Sequence, residues 1–487
     1  MTLVGALALL LVLAPLTAAL ACLFTRAARA SEAFNLVASV ISLGCALPLT
    51  FVSDGHAVRF WDDYIIVDRA TAWVCLCTAI VYFVASIYAV GYMRLLREDR
   101  RLYRFYALFA TFGLTTLLAP LMNNIGLYWI AIELTTIVST FLVTFERQPE
   151  SMEAAWKYIM VVSAGISLAL LGTIVFYWNG SFALGPTYQM TWGALTEAAP
   201  KMSPILMVLG FLLVFAGYGT KVGLAPMHTW LPDAHSESPA PVSAMLSGAL
   251  LNTAMIGIVR FLAITRAAGN SQLPAIILVV FGVLSLFIGA AFIVRQQGIK
   301  RLMAYSSIEH MGVVALGFGF GGALGIAGAL YHMLNHSLNK SLMFFGAGNM
   351  MRAYGTKEIA QISGVRGFFP VEGALWLAGA IAITGAPPFG LFLSEFTIMR
   401  AGLGSFAWAV YAMAALLIVI FVGFMNHFRH MYFAPAGEPP LARRVGAWCA
   451  APMWIVLVPL LLLGLWWPGG IWDYLTSIAQ SLSPGAP

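Results

Sequence analysis

Apolar residues in this chain come in runs rather than in stripes. Fourteen runs stand out, at 3–24, 33–52, 70–93, 103–121, 123–145, 154–178, 204–231, 240–264, 273–294, 301–320, 322–353, 371–402, 405–431 and 445–468. A helix needs about 20 apolar residues to cross about 30 Å of hydrocarbon, so each run predicts one membrane span. The polar stretches between them are mostly short, with two exceptions. In residues 53–68, AVRFW (57–61) and YIIV (64–67) flank the polar Asp62 and Asp63, which predicts a β-hairpin. Residues 179–203 form a longer loop with Gly, Pro and Ser, and the tail after Gly469 reads as short and polar.

Two spans are interrupted. Span seven carries GYGTKVGLAP (217–226) and span twelve carries GAPPFG (385–390). A break frees backbone groups that lipid cannot satisfy, so it is tolerated only where protein or water surrounds it. The breaks lie five spans apart. Equivalent helices then run in opposite directions, which predicts an inverted-topology repeat. The expected organisation is an N-terminal part with spans one to three and the external hairpin (1–102), a first repeat (103–264), a second repeat (265–431), and a last helix and tail (432–487). The fold class is thus an all-α polytopic membrane protein of about fourteen transmembrane helices.

Composition agrees. The 487 residues are 61% hydrophobic and 9% charged, against about 25% charged in soluble domains. Seventeen of the 26 basic residues fall in loops after odd-numbered spans, five on the other side and four within spans. The positive-inside rule then puts both termini outside, on the periplasmic side of a bacterial inner membrane. The net charge of +6 reads as basic loops against an anionic leaflet, not as nucleic-acid binding. The first run is too long for a signal-peptide core and lacks a basic leader, so it is kept as a span. Cys22, Cys45, Cys75, Cys77 and Cys449 all lie in apolar runs and read as packing thiols, with no ligand set for zinc or an iron–sulfur cluster. No cofactor is expected.

What remains is a set of ionisable residues inside the spans, each of which costs at least about 2.5–3.5 kcal/mol to place there. Glu133 in span five and Lys157 in span six lie on antiparallel neighbours and can pair, either as a movable charge couple or as a static salt bridge. Lys221 sits at the break of span seven, where it can take up and release a proton or snorkel to the surface. His228, Asp233, His235 and Glu237 follow toward the cytoplasmic side, as an access route or as a structural turn. Glu309 and His310 lie in span ten. His332, His336 and Lys340 in span eleven share one helix face by their i, i+4, i+8 spacing. That stripe suits proton passage through ordered water, with haem or metal ligation and plain polar packing as the other readings. Glu395 follows the break in span twelve, as the acidic counterpart of Lys221.

The stretches GTKVGLAPMHTWLPDAHSESP (219–239) and IKRLMAYSSIEHMG (299–312) resemble the antiporter-like proton-channel family. That family includes the large membrane subunits of respiratory complex I, the Mrp antiporters and subunits of membrane-bound nickel–iron hydrogenases. The resemblance covers most of the chain, most strongly from about 120 to 400. The wording around Glu133, Lys157 and NHSLNK (335–340) is most similar to the F-type members of the hydrogenase-4 group. The resemblance implies roles: Glu133 as the span-five glutamate, Lys221 as the span-seven lysine, His336 as the central relay of span eleven and Glu395 as the terminal acid. It also implies a departure, since many members carry a lysine in span eight where this chain has Asn252. An asparagine bonds water but does not hold a proton.

Together these observations predict a proton-translocating membrane subunit without a catalytic centre of its own, working in a larger redox complex of the hydrogenase or formate hydrogenlyase type. Its path would use Glu133, Lys157, Lys221, His228, Asp233, His310, His332, His336, Lys340 and Glu395. Its partners would be paralogous channel subunits and a peripheral hydrogenase or dehydrogenase arm. The alternatives are a complex I subunit, an Mrp-type sodium–proton antiporter subunit, the membrane partner of an inorganic-carbon uptake complex, and a haem protein using His332 and His336.

Overall fold

The computed structural model describes residues 2–52, 57–95, 99–270, 272–435, 440–441 and 445–483. Among these, eleven helices are long and apolar enough to cross a membrane, and they are spans one to nine, thirteen and fourteen. Spans ten and eleven are Ile299–Phe320 and Gly322–Tyr354, continuous helices that carry their polar residues inside. Span twelve is a pair, Pro370–Ile383 and Gly390–Gly402. The chain is therefore an all-α polytopic membrane protein, as its apolar runs predict. Arg97, Arg443 and Arg444 of the loop-charge pattern lie outside the described residues, as does the side chain of Arg100.

Local chemistry sets the helix ends. Asp68 caps span three, its carboxylate accepting from the Thr71 amide at 2.7 Å. Asn124 does the same for span five through Leu127 at 3.1 Å. Span six runs from Pro149 to Leu184, 36 residues, or about 54 Å at 1.5 Å per residue. That is longer than its apolar run at both ends: Pro149 opens the helix before the apolar part begins, and the helix continues to Leu184, into the stretch expected as a loop. The hairpin forms between Val58–Phe60 and Ile65–Val67, with Val58 opposite Val67. Its turn places Trp61, Asp62 and Asp63 at positive φ, a conformation that aspartate tolerates better than most residues.

Two elements differ from the sequence expectation. The loop 179–203 contains a short helix, Trp192–Ala198, capped by Thr191. The tail is not merely polar: Gly469–Ser481 is helical and buries Leu475, Ile478 and Ala479. Their i, i+3, i+4 spacing makes one apolar face, which packs on spans three and eleven.

Both breaks are lined by protein. Span seven ends at Gly223, with φ of 79°, and resumes as Trp230–Glu237. The freed Thr220 carbonyl accepts from the Trp230 indole at 2.7 Å, and the freed Ala225 amide donates to Ser285 Oγ at 3.0 Å. In span twelve Gly385 turns the chain at φ 65°. A Cβ on Gly385 would strike the Glu395 carboxylate, and one on Gly390 would strike the Asn335 side chain. Span eight is unbroken but contains a π-turn at Leu246–Leu250. Its Gly248 carbonyl accepts from Ser337 Oγ at 2.6 Å and from Asn252 Nδ2 at 3.2 Å. Neighbours pack in the same order through spans four to eight and through nine to thirteen: the first on the second, and so on to the fifth.

Candidate functional site

Glu133 and Lys221 come together, and a hydroxyl joins them. Lys221 is fully buried at the end of the first half of span seven. Its ammonium donates to Thr136 Oγ1 at 2.8 Å and to the Tyr158 hydroxyl at 2.9 Å. Thr136 in turn donates to Glu133 Oε2 at 3.3 Å. The other carboxylate oxygen accepts from Ser163 Oγ at 2.7 Å, and Ser139 lies 2.7 Å from the Tyr158 hydroxyl. A buried ammonium is tolerable only with such partners, and here it has two oxygens and the ring of Tyr158 beneath it, 5.2 Å to the centroid.

The expected Glu133–Lys157 pair does not form. Lys157 lies on the outer side of span six, half exposed, and pairs with Glu153 at 2.6 Å and Asp233 at 3.4 Å. Successive helical residues point about 100° apart. Tyr158, Val162, Gly165 and Ala169 make the buried stripe, so Tyr158 faces Lys221 and its neighbour Lys157 cannot. Asp233 is likewise engaged, between Lys157 and Arg301. His228 is buried beside Tyr305, ring centroids 6.4 Å apart, and its Nδ1 has no protein partner.

The second group lies between spans ten, eleven and twelve. His310 Nδ1 is 3.0 Å from His332 Nε2, and His332 Nδ1 is 2.9 Å from Ser394 Oγ. His310 and His336 face each other at 5.5 Å between centroids. Lys340 donates to Ser306 Oγ at 2.5 Å and to the Met303 carbonyl at 3.1 Å. The stripe of His332, His336 and Lys340 therefore faces span ten, as its spacing predicts. One ligand atom each from His310, His332 and Glu395 falls within a common 4.8 Å.

This group is under-satisfied. Both oxygens of Glu309, both nitrogens of His336, His310 Nε2 and Glu395 Oε1 are buried without a protein partner. Buried polar atoms are almost always bonded to protein or ordered water, and a polar site of this kind is where buried water belongs. Ser247 and Ser307, 2.8 Å apart, continue the polar line into span eight. There Asn252 spends its amide on Gly248, Met333 and Ser337 and holds no proton.

Several participants escape a reading of the sequence. Thr136 is one turn from Glu133, and Ser394 is the residue before Glu395. His235, read in sequence as part of an access route or a structural turn, is buried against Phe344 with both nitrogens unpartnered. Lys300 is buried beneath it and donates to the Ser236 and Ser238 carbonyls. A cavity of about 490 Å³ lined by Glu146, Glu237, Lys300, Arg352 and Lys357 opens there. The signal for Tyr158 is its place on the small-residue stripe of span six. Hydroxyls carry no such mark.

Residues 122–423 match the family described as NADH:quinone oxidoreductase/Mrp antiporter, transmembrane. The chain is 37% identical over 381 residues to the hydrogenase-4 component F homolog of Methylacidiphilum infernorum, covering 77% of this chain and 79% of that one. Its fold is similar to a chain of the archaeal membrane-bound sulfane sulfur reductase, with TM-score 0.88 at 22% identity over 98% of this chain and 97% of the other. A chain of the Mrp complex from Dietzia sp. gives TM-score 0.87 at 20% identity, with 99% and 98% covered. A family match over more than half the chain, a relative aligned over most of its length and two full-length folds agree: the chain belongs to the NADH:quinone oxidoreductase/Mrp antiporter transmembrane family.

Proposed function

We propose that this chain carries protons across the membrane as one subunit of a multi-subunit redox complex, of the hydrogenase-4 kind that its relative's name describes. The observation that carries the reading is the string of polar groups beside both helix breaks, all buried except the half-buried Glu133: Glu133, Thr136, Lys221 and Tyr158 at one, and His310, His332, Glu395, His336 and Lys340 at the other. Such groups are costly in a membrane and are kept where ions pass. The Glu133 carboxylate biases Lys221 through Thr136, and protons move on through water and the histidines to Glu395. The cavity at Lys300 supplies the cytoplasmic side. Lys157 and Asp233 lie at the rim, and His228 is buried beside Tyr305, apart from the hydrogen-bonded line. The proposed division into two inverted repeats, 103–264 and 265–431, fits this path, since each has one break and consecutive spans pack on one another in both.

The partners in this reading are paralogous channel subunits and a peripheral hydrogenase arm, in a bacterial inner membrane with both termini periplasmic. The test is proton uptake by inside-out vesicles bearing the whole complex, with its electron donor supplied. Glu395→Gln should abolish uptake while the complex still assembles, and unchanged uptake would sink the assignment. Uptake that requires sodium would favour an antiporter instead.

A further inference from the structure

The cluster at the break of span twelve is built like a metal site. Two imidazoles and a carboxylate, from three different spans, converge within 4.8 Å. All three are buried. Ser394 Oγ lies 2.8 Å from the Leu391 carbonyl and 2.9 Å from His332 Nδ1. With Nδ1 held by this hydroxyl, Nε2 of His332 faces His310. A ligating histidine characteristically has its other nitrogen held in this way. His310 presents Nδ1 to His332 Nε2, its own Nε2 has no protein partner and is free to carry the ring's proton, and Glu395 Oε1 has no protein partner.

We infer that His310, His332 and Glu395 form a binding site for a divalent transition metal ion of the zinc class, and that its occupation blocks the path. Two histidines with one carboxylate and an open position is a ligand set that zinc accepts, with bonds of about 2.0–2.2 Å. The imidazole pair is already 3.0 Å apart, close enough for both to reach one ion. The Glu395 carboxylate oxygen lies within 4.8 Å of both nitrogens, so a side-chain movement closes the third bond. The ion takes the place of the proton between His310 Nδ1 and His332 Nε2, which shifts to the unpartnered Nε2 of His310, and occupies the lone pairs that a relay would use. Binding stands on the geometry alone. The block rests on the proposed proton path.

The probe is cobalt(II), whose visible absorption reports tetrahedral nitrogen–oxygen ligation, added to the purified whole complex. The difference spectrum of wild type minus His332→Gln should show one tetrahedral cobalt per chain, and Glu395→Gln should abolish the same band. Ser394→Ala keeps all three ligands but frees the imidazole, and should weaken affinity about 10–100-fold. Zinc should then inhibit proton uptake by wild-type vesicles. An identical cobalt spectrum in wild type and His332→Gln, or none in either, overturns the site even if the variants assemble poorly, because Ser394→Ala tests the same affinity with every ligand present. Cobalt bound at the site in a complex that takes up no protons would support the site and overturn the transport reading. Cobalt bound while zinc leaves uptake unchanged would overturn the block.

Discussion

The two helix breaks solve the same problem in opposite ways. At span seven the buried charge is fully engaged: Lys221 has two hydroxyl partners, and the carboxylate it answers to has two of its own. At span twelve the buried groups outnumber their partners, and Glu309, His310, His336 and Glu395 all keep polar atoms unbonded to protein. Direct hydrogen bonds fix a geometry. Unbonded groups leave room for water and for change. In the proposed path the first break holds a charge in place, and the second lets one pass or be intercepted. An interior of low polarity makes both arrangements consequential, since a lost partner there costs far more than it would in water.

The contrast can be broken from either side. The largest effect is expected for Lys221→Met, which removes the charge that the first network exists to hold. Proton uptake should fall to background in assembled complexes, and uptake above half of wild type would dissolve the distinction. Next comes Gly385→Ala. Gly385 sits at φ 65° with the Glu395 carboxylate against it. The left-handed conformation costs about 1–2 kcal/mol with a Cβ, and the new methyl must push Glu395 aside. Uptake should drop severely and the yield of assembled complex should also fall. Gly185, which also has positive φ but open space around it, is the control: Gly185→Ala should leave uptake intact. A smaller effect follows for Thr136→Val, which keeps the volume and removes the hydroxyl between Glu133 and Lys221. Leaving a buried charged group one partner short costs about 1–3 kcal/mol. Felt in the transfer barrier, that is roughly 5- to 150-fold slower uptake, with assembly unaffected.

What is legible in the sequence follows from these physics. Fourteen apolar runs and two glycine–proline interruptions need only counting, and spans and breaks lie where counting puts them. Lys221 and Glu395 are visible because a charge inside an apolar run has no inexpensive explanation. Thr136, Tyr158 and Ser394 are not, since hydroxyl residues sit in membrane helices at little cost and bond their own backbone, as Thr135 and Thr140 do here. The amphipathic tail helix is hidden by its brevity. The pairing of Glu133 with Lys157 fails on helix rotation, which a short loop between spans does not fix.

That failure yields the smallest prediction. Lys157 is half exposed, and its partners Glu153 and Asp233 lie on the rim. Ion pairs of that kind contribute little and are screened by salt. If the first network is closed as described, it runs through the Tyr158 hydroxyl and ignores its neighbour. Lys157→Ala should then change proton uptake by less than about twofold at ordinary ionic strength, and Tyr158→Phe should slow it more. The two residues are adjacent in sequence and differ in the direction they face. A greater loss in Lys157→Ala than in Tyr158→Phe would show that the charge on Lys221 is governed from the surface of span six, and the contrast between the two breaks would have to be redrawn.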